Sequence, residues 1–394
     1  MAGGCRNAGA QTLNVVRVLS LSTLFPSDAR PRLGGFVARQ FDALAARGDV
    51  DLTVICPVAR QKARGAPRAY PVHYVRFTAI PKIGARWSPG RIARAVLPLA
   101  RKLHAERPFD LIDAQFFYPD GPAAAHVAKE LGLPLSIKAR GSDIHLWGEI
   151  SYARTMMLEA AEQATGLLAV SEALKRDMVA LGMPAEKIAV HYTGLDHSLF
   201  KPRDRDELRW EVFGIGPETA ILLCVGNLVP LKGHDLAIEA MHHIEGARLM
   251  IVGDGPQKAA LRAQASSLFV IHKVFFASYS HEKMALAMAA ADALVLPSAH
   301  EGLANVWIEA LASGTPLVIP DVGGAREVVT SPSAGRLVER NPEAIARAVV
   351  DLLSAPPARA DVAANAARFS WEENAAQLAA HYVKVAGNPT IRSP

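Results

Sequence analysis

Two glutamates eight positions apart, Glu301 and Glu309, bracket the segment of this sequence best suited to chemistry. An apolar strand is predicted over Ala293–Leu296 and ends in Pro297-Ser298. A loop follows with Glu301-Gly302-Leu303, and a helix is predicted from Ala304 or Asn305 onward, carrying Glu309. Eight helical residues rise about 12 Å and turn about 80° beyond two full turns, so the acids cannot form a close catalytic pair. They suit the two ends of one long ligand. Between them, the backbone N–H groups of Leu303–Asn305 point out of a helix N-terminus, which is a ready anion site. Gly302 lets the backbone approach that anion closely. Hydroxyls at both ends and a diphosphate between them is the layout of a sugar nucleotide. The plainer reading makes Glu301 a surface acid and Glu309 a solvated helix residue. Val306, Trp307, Ile308, Ala310 and Leu311 around Glu309 weigh against it, because an acid in that setting is partly buried and needs partners.

Four further clusters sit where strands give way to helices. Gly226-Asn227-Leu228-Val229-Pro230-Leu231-Lys232-Gly233 follows the run Ile221–Val225, and an ammonium at Lys232 can neutralise a phosphate. Val252-Gly253-Asp254-Gly255-Pro256 is superficially like a dinucleotide fingerprint, but Lys258 holds the third glycine position. It suits a turn lining a base pocket better than a nicotinamide site. Arg32-Leu33-Gly34-Gly35-Phe36 opens a helix after the first strand, where Gly34 and Gly35 would admit a phosphate or acceptor group; a plain tight turn reads nearly as well. Arg140-Gly141-Ser142-Asp143-Ile144-His145 follows the run Leu135–Lys138, and its Arg140, Asp143 and His145 are candidates for orienting a substrate hydroxyl. Asp204-Arg205-Asp206 lies in a charged linker and is discounted as a metal motif. There is no His-Glu-x-x-His, no Gly-x-Ser-x-Gly and no Walker-type phosphate loop, and the 13 histidines show no metal spacing.

These clusters need strands to present them. Near-continuous apolar runs at Val15–Leu21, Leu52–Cys56, Val72–Phe77, Leu111–Ala114, Leu135–Lys138, Leu167–Val170 and Ile188–Tyr192 are followed, after a gap, by Ile221–Val225, Arg248–Val252, Ala293–Leu296 and Pro316–Ile319. Helical stretches such as Gly35–Arg47, Ala123–Leu131, Ser171–Leu181 and Asn305–Ala312 lie between them. The alternation predicts an α/β fold of parallel sheets covered on both faces. It pauses at Asp196–Gly216, which reads as a linker. The expectation is therefore two doubly wound domains facing across a cleft, 1–200 (with 1–13 disordered) and 201–370, and a final segment 371–394 whose helix crosses back to the first. In such sheets ligands sit beyond the carboxyl ends of the strands.

Half of the 394 residues are hydrophobic and 21% are charged, which excludes global disorder. Cys5, Cys56 and Cys224 are too scattered for a disulfide framework, and no apolar run is long enough to span a membrane, so a reducing, cytoplasmic setting is expected. Residues 1–200 carry a net charge of +8 and residues 201–394 a net of −3. The excess concentrates in Arg60–Arg107, where 12 basic residues face one acid, Glu106. Ile83, Trp87, Ile92, Val96 and Leu97 interleave with these charges, so the stretch could rest on an anionic membrane surface. A solvated basic face fits equally; nucleic acid is not an expected partner.

Taken together, the clusters resemble the family-4 glycosyltransferases of the GT-B fold. Gly34-Gly35-Phe36, Gly141-Ser142-Asp143, Ser171-Glu172, Gly194-Leu195-Asp196, Gly226 with Lys232-Gly233, Gly253-Asp254-Gly255-Pro256, Glu301-Gly302 with Glu309, and Gly323-Gly324 with Glu327 stand in that family's order. The resemblance implies transfer of a glycosyl unit from a nucleotide sugar, a UDP-sugar in preference to a GDP-sugar, with retention of configuration and no metal or other cofactor. It implies that Lys232 meets the diphosphate, Glu301 the sugar hydroxyls and Glu309 the ribose, that Gly34-Gly35 closes over the phosphates, and that Asn227, Gly253, Gly255, Gly302, Leu303, Ala304 and Asn305 line the donor. Many members carry Arg where this chain has Asn227, and His where it has Arg140. Arg140-Gly141-Ser142-Asp143 looks like a subgroup that builds surface or teichuronic-type polysaccharides, with a saccharide or lipid-linked acceptor. Another sugar-nucleotide enzyme of the same architecture, such as an epimerase, and a non-catalytic sugar-nucleotide binder are the competing expectations.

Overall fold

The computed structural model describes residues 15–31, 33–59, 63–79 and 84–387. The expectation of disorder over 1–13 and the positions of Arg32, Arg60 and Ile83 fall outside them. The chain forms two compact units: Met1–Lys138 with Ser151–Leu168 and Ala375–Pro394, and Ala139–Ile150 with Ala169–Asn374.

Among the described residues, thirteen strands build two parallel sheets. The first contains β1 (Val16–Leu21), β2 (Val50–Ala59), β3 (Val72–Phe77), β4 (Leu111–Ala114), β5 (Leu135–Ala139), β6 (Gly166–Ala169) and β7 (Ile188–Val190), in the order β3-β2-β1-β4-β5-β6-β7. The second contains β8 (Ala220–Val225), β9 (Ala247–Val252), β10 (Val274–Ala277), β11 (Ala293–Val295), β12 (Leu317–Pro320) and β13 (Gly335–Val338), in the order β10-β9-β8-β11-β12-β13. Central strands such as β8 are buried on both faces because helices flank them, which is why their sequences show no alternation. The core of the first unit joins Val16, Val18, Val37, Phe41, Leu44 and Val54 to Leu378 and Tyr382 of the final helix, Trp371–Ala386.

Two expectations are corrected. The stretch Asp196–Gly216 is not all linker, since Arg205–Phe213 is a helix. Asp204 caps it, accepting the N–H groups of Asp206 and Glu207 at 3.1 and 3.3 Å, and Gly214 (φ +64°) ends it. Arg209 within that charged run is buried, which is tolerable because its guanidinium meets Asp292 and the carbonyls of Ala290 and Pro217. Likewise, Ile92 and Val96 do not form an amphipathic surface. The helix Ser88–Glu106 buries both, while Trp87 before it and Arg94, Arg101 and Lys102 along it are exposed. Among the described residues, no helix is long and apolar enough to cross a membrane.

Candidate active site

The order of the second sheet reverses between β8 and β11, so the segments leaving these two strands diverge and open a crevice at their carboxyl ends. Lys232 follows β8, and Glu301 follows β11. Pro230–Lys232 is a single 3-10 turn closed by Gly233 at φ +68°, where a Cβ would come within 2.2 Å of the Pro297 carbonyl oxygen. The Ala299 N–H donates to the Leu231 carbonyl at 2.8 Å. These contacts bring the Lys232 ammonium to 2.5 Å from Glu301 Oε1, with the two side chains 21% and 10% exposed. Sequence reading sends each to a separate part of a ligand; in the structure they neutralise one another.

The Glu301-Gly302 backbone is gripped from three sides. Gly302's carbonyl accepts the Ser171 hydroxyl at 3.0 Å and the Gly324 N–H at 2.9 Å. A Cβ on Gly302 would lie 2.9 Å from the Arg140 carbonyl oxygen, and one on Gly141 2.9 Å from the Gly302 nitrogen. At Gly323 (φ +51°) it would be 1.9 Å from the Glu301 oxygen. Glycines in three separate motifs are thus explained by backbone meeting backbone. Leu303 and Ala304 are buried, and the helix Asn305–Ala312 starts as expected, with no side chain capping it. Glu309 is half-buried on that helix. The Gly253-Asp254-Gly255 turn packs on the preceding one. A Cβ on Gly253 would sit 1.9 Å from the Gly226 oxygen, one on Gly255 2.5 Å from that of Leu228, and the Leu228 N–H donates to the Asp254 carbonyl at 2.9 Å. Asn227 is exposed at its edge.

Asp143, read above among groups that orient substrate, is also a brace for its own turn. It is fully buried, and its carboxylate accepts the N–H groups of Arg140 and Gly141 at 2.9 and 2.8 Å, fixing the turn that touches Gly302. His145 Nε2 lies 2.9 Å from Asp177 Oδ2, with its ring 5.8 Å from that of His300. Arg140 is half-buried. Gly34 and Gly35 belong to the other unit. Gly34 (φ +67°) precedes the helix Gly35–Ala46, and a Cβ there would come within 2.2 Å of the Leu24 oxygen, whereas Gly35 has 3.6 Å of room.

One participant had no role in the sequence reading. The Glu327 carboxylate accepts the N–H groups of Glu172 and Ala173, both at 3.0 Å, and the Tyr192 hydroxyl at 2.8 Å. It caps the N-terminus of the helix Glu172–Leu181, whose Ser171 holds Gly302. Burial, with Glu327 second, pushes the Tyr192 hydroxyl up to about 12, so it stays a donor. Its signal was the Ser171-Glu172 pair, an N-cap with no stated partner. His234 was also overlooked. It is buried directly after Gly233, and burial and then Lys232 hold it down at about 4. Among the described residues, no group of three or more His, Cys, Asp or Glu is placed to hold a metal.

Two doubly wound parallel sheets, with a Lys–Glu pair at the switch point of the second, define a GT-B type α/β transferase. Residues 35–199 match the family model Glycosyltransferase Family 4, and residues 204–369 match Glycosyl transferases group 1. The chain belongs to the GT-B glycosyltransferases and is an enzyme of that class. A Bacillus subtilis protein named as a teichuronic acid biosynthesis glycosyltransferase, TuaC, is 28% identical over 85% of this chain and 88% of its own. The D-inositol 3-phosphate glycosyltransferase of Segniliparus rotundus is 35% identical over 50% of this chain, and the match spans about half of that relative, 47%. Among solved structures, sucrose-phosphate synthase from Thermosynechococcus elongatus superposes with a TM-score of 0.77 at 21% identity, covering 93% of this chain and 98% of its own. Anabaena Alr3699/HepE in complex with UDP and glucose gives 0.74 at 23% identity over the same shares. These likenesses bear on the fold.

Proposed function

We propose that this enzyme moves a hexosyl unit from a UDP-sugar, in preference to a GDP-sugar, to a saccharide or lipid-linked acceptor, with retention and without a metal, in surface polysaccharide or glycolipid synthesis. The observation that carries the reading is the Lys232–Glu301 pair, set at a sheet's switch point on a backbone held from three sides. The name of the Bacillus relative and the UDP held by the Anabaena protein support the substrate class.

In this reading Lys232 and the N–H groups at Leu303–Asn305 take the diphosphate, whose negative charge grows as the glycosidic bond breaks. Glu301 turns to the sugar hydroxyls and Glu309 to the ribose. Asn227, Gly253 and Gly255 border the base. Arg140 and His145 face the acceptor or the donor phosphate, while Asp143 acts only by holding their turn. The enzyme works at the cytoplasmic membrane face, with the basic residues of Arg60–Arg107 toward anionic lipid.

The test is a panel of UDP-, GDP- and ADP-sugars read by thermal shift, since a ligand bound only by the native form raises the melting point. NMR of the product anomer with the stabilising donor, in EDTA, follows. Stabilisation by UDP-sugars and a retained anomer are expected. An inverted anomer, or an epimerised donor without acceptor, overturns the reading. Liposome co-sedimentation indifferent to anionic lipid and to salt would remove the membrane contact alone.

A further inference from the structure

The opposite edge of the second sheet holds a second charged cavity, of about 320 Å³, at the amino ends of β8, β9, β11 and β12. Arg205, Arg209, Arg359 and Asp292 line it. Asp292 is saturated by Arg205 (2.8 Å), by Arg209 and by the Ile221 N–H (2.6 Å). Arg209 also reaches the Ala290 carbonyl, and Arg359 those of Ala289 and Ser313 at 2.5 and 2.7 Å. These carbonyls close the helices His281–Ala290 and Asn305–Ala312. Each helix C-terminus contributes about half a negative charge. Three guanidinium groups face one buried carboxylate and two such ends; Asp206, 3.8 Å from Arg205 Nε, is exposed to water and answers the remaining positive charge only in part. Glu218, the remaining acid of the lining, is exposed to water.

Two features mark the imbalance. Arg359 Nε is buried without a hydrogen-bond partner, an uncommon cost. Arg359 is also pushed down to about 10, by burial first and then by Arg205.

We propose that this cavity binds a phosphate-bearing anion, whose oxygens match the planar guanidinium of Arg205 and are drawn by the positive charge of Arg209 and Arg359 behind it. The site lies at the far end of the helix Asn305–Ala312 from the donor loop and stands independently of the donor reading.

Thermal shift of the full chain tests it, with inorganic phosphate and, separately, glucose 6-phosphate titrated against chloride at constant ionic strength. A saturable rise in melting temperature is expected, and it persists in Lys232→Ala, which silences phosphate binding at the donor site. Arg205→Gln, which spares the helix-end contacts of Arg209 and Arg359, should raise the half-saturating concentration at least tenfold. Should that variant not fold, Arg205→Lys keeps the charge, loses the fork and serves as the same comparison. Tighter response to the sugar phosphate identifies a monoester as the ligand, and an equal response identifies the free anion. A response unchanged in the Arg205 variants, lost in Lys232→Ala or matched by chloride overturns the proposal.

Discussion

The Lys232–Glu301 pair invites a double-substitution cycle. Exposed ion pairs contribute about 0.2–1 kcal/mol. This one is mostly shielded from water at 2.5 Å, so a charge-assisted bond of about 1.5–3 kcal/mol is the better scale. Lys232→Ala would strand the Glu301 carboxylate, and Glu301→Gln would strand the ammonium. Each single change should therefore cost about 2 kcal/mol. The double variant has no charge left to strand and should cost little more than either, giving a coupling of about 1.5–2 kcal/mol. At roughly 2–4 °C per kcal/mol for a unit of this size, each single variant should melt about 4–8 °C low. Calorimetry of the four proteins without ligand measures this. Additive losses, with coupling under about 0.5 kcal/mol, would show that the pair does not form in solution. In turnover assays Lys232→Ala should lower kcat/KM by about 10²–10³-fold, the scale for removing one group that stabilises developing charge. A loss under threefold would release Lys232 from the diphosphate.

Other positions give sharper contrasts. Gly34→Ala should cost more than about 2 kcal/mol in chemical denaturation, from a left-handed φ of +67° and the Leu24 carbonyl, whereas Gly35→Ala should be neutral or stabilise by up to about 1 kcal/mol at a helix start. Glu327→Gln should lower stability by about 1–2 kcal/mol and raise donor KM several-fold with a smaller effect on kcat, because it loosens the helix that holds Gly302; Tyr192→Phe should do less, and equal losses in kcat alone would contradict this. His234 is buried and His381 half-buried, and both are held down at about 4, His381 by desolvation and then Lys138. Their unfolded value is about 6.5, so each contributes at most about 3 kcal/mol, present above pH 6.5 and lost as pH falls toward 4. The melting temperature should fall through that window, and His381→Gln should flatten the fall; an unchanged slope would discount His381.

Central strands were legible because burial on both faces writes them as continuous apolar runs. β10 and β13 escaped because they are four-residue edge strands, largely half-exposed: Arg336 interrupts β13, and the apolar run of β10 is too short to stand out. The helix Arg205–Phe213 was hidden because its buried guanidinium looks like any surface charge until Asp292, 83 positions on, is placed beside it. Glycine spacing pointed to the right turns. It could not say that Gly141 lies on Gly302, or Gly253 on Gly226, since those contacts are fixed by strand order. Nor could it tell that Asp143 holds the N–H groups of its own turn, since a carboxylate in that task and one that meets a ligand are the same letter.

The pairing of Lys232 with Glu301 has a consequence for affinity. On the proposed function, a diphosphate entering the crevice would not meet a free cation, since it would have to draw the ammonium from a carboxylate already in contact. The net gain for the phosphate is the difference between two charge-assisted bonds, and the released Glu301 regains its loss only if sugar hydroxyls arrive with the diphosphate. On the proposed function, the pair would therefore favour the intact donor over the spent nucleotide. Glu301→Gln abolishes that competition. It should bind UDP, the proposed product, about three- to tenfold more tightly, a gain of roughly 1 kcal/mol, while losing turnover with the UDP-sugar. Isothermal titration of both ligands against both proteins measures the shift. Weaker UDP binding in Glu301→Gln would mean that Glu301 aids the diphosphate, for instance by aiming Lys232, and the competition argument would fail.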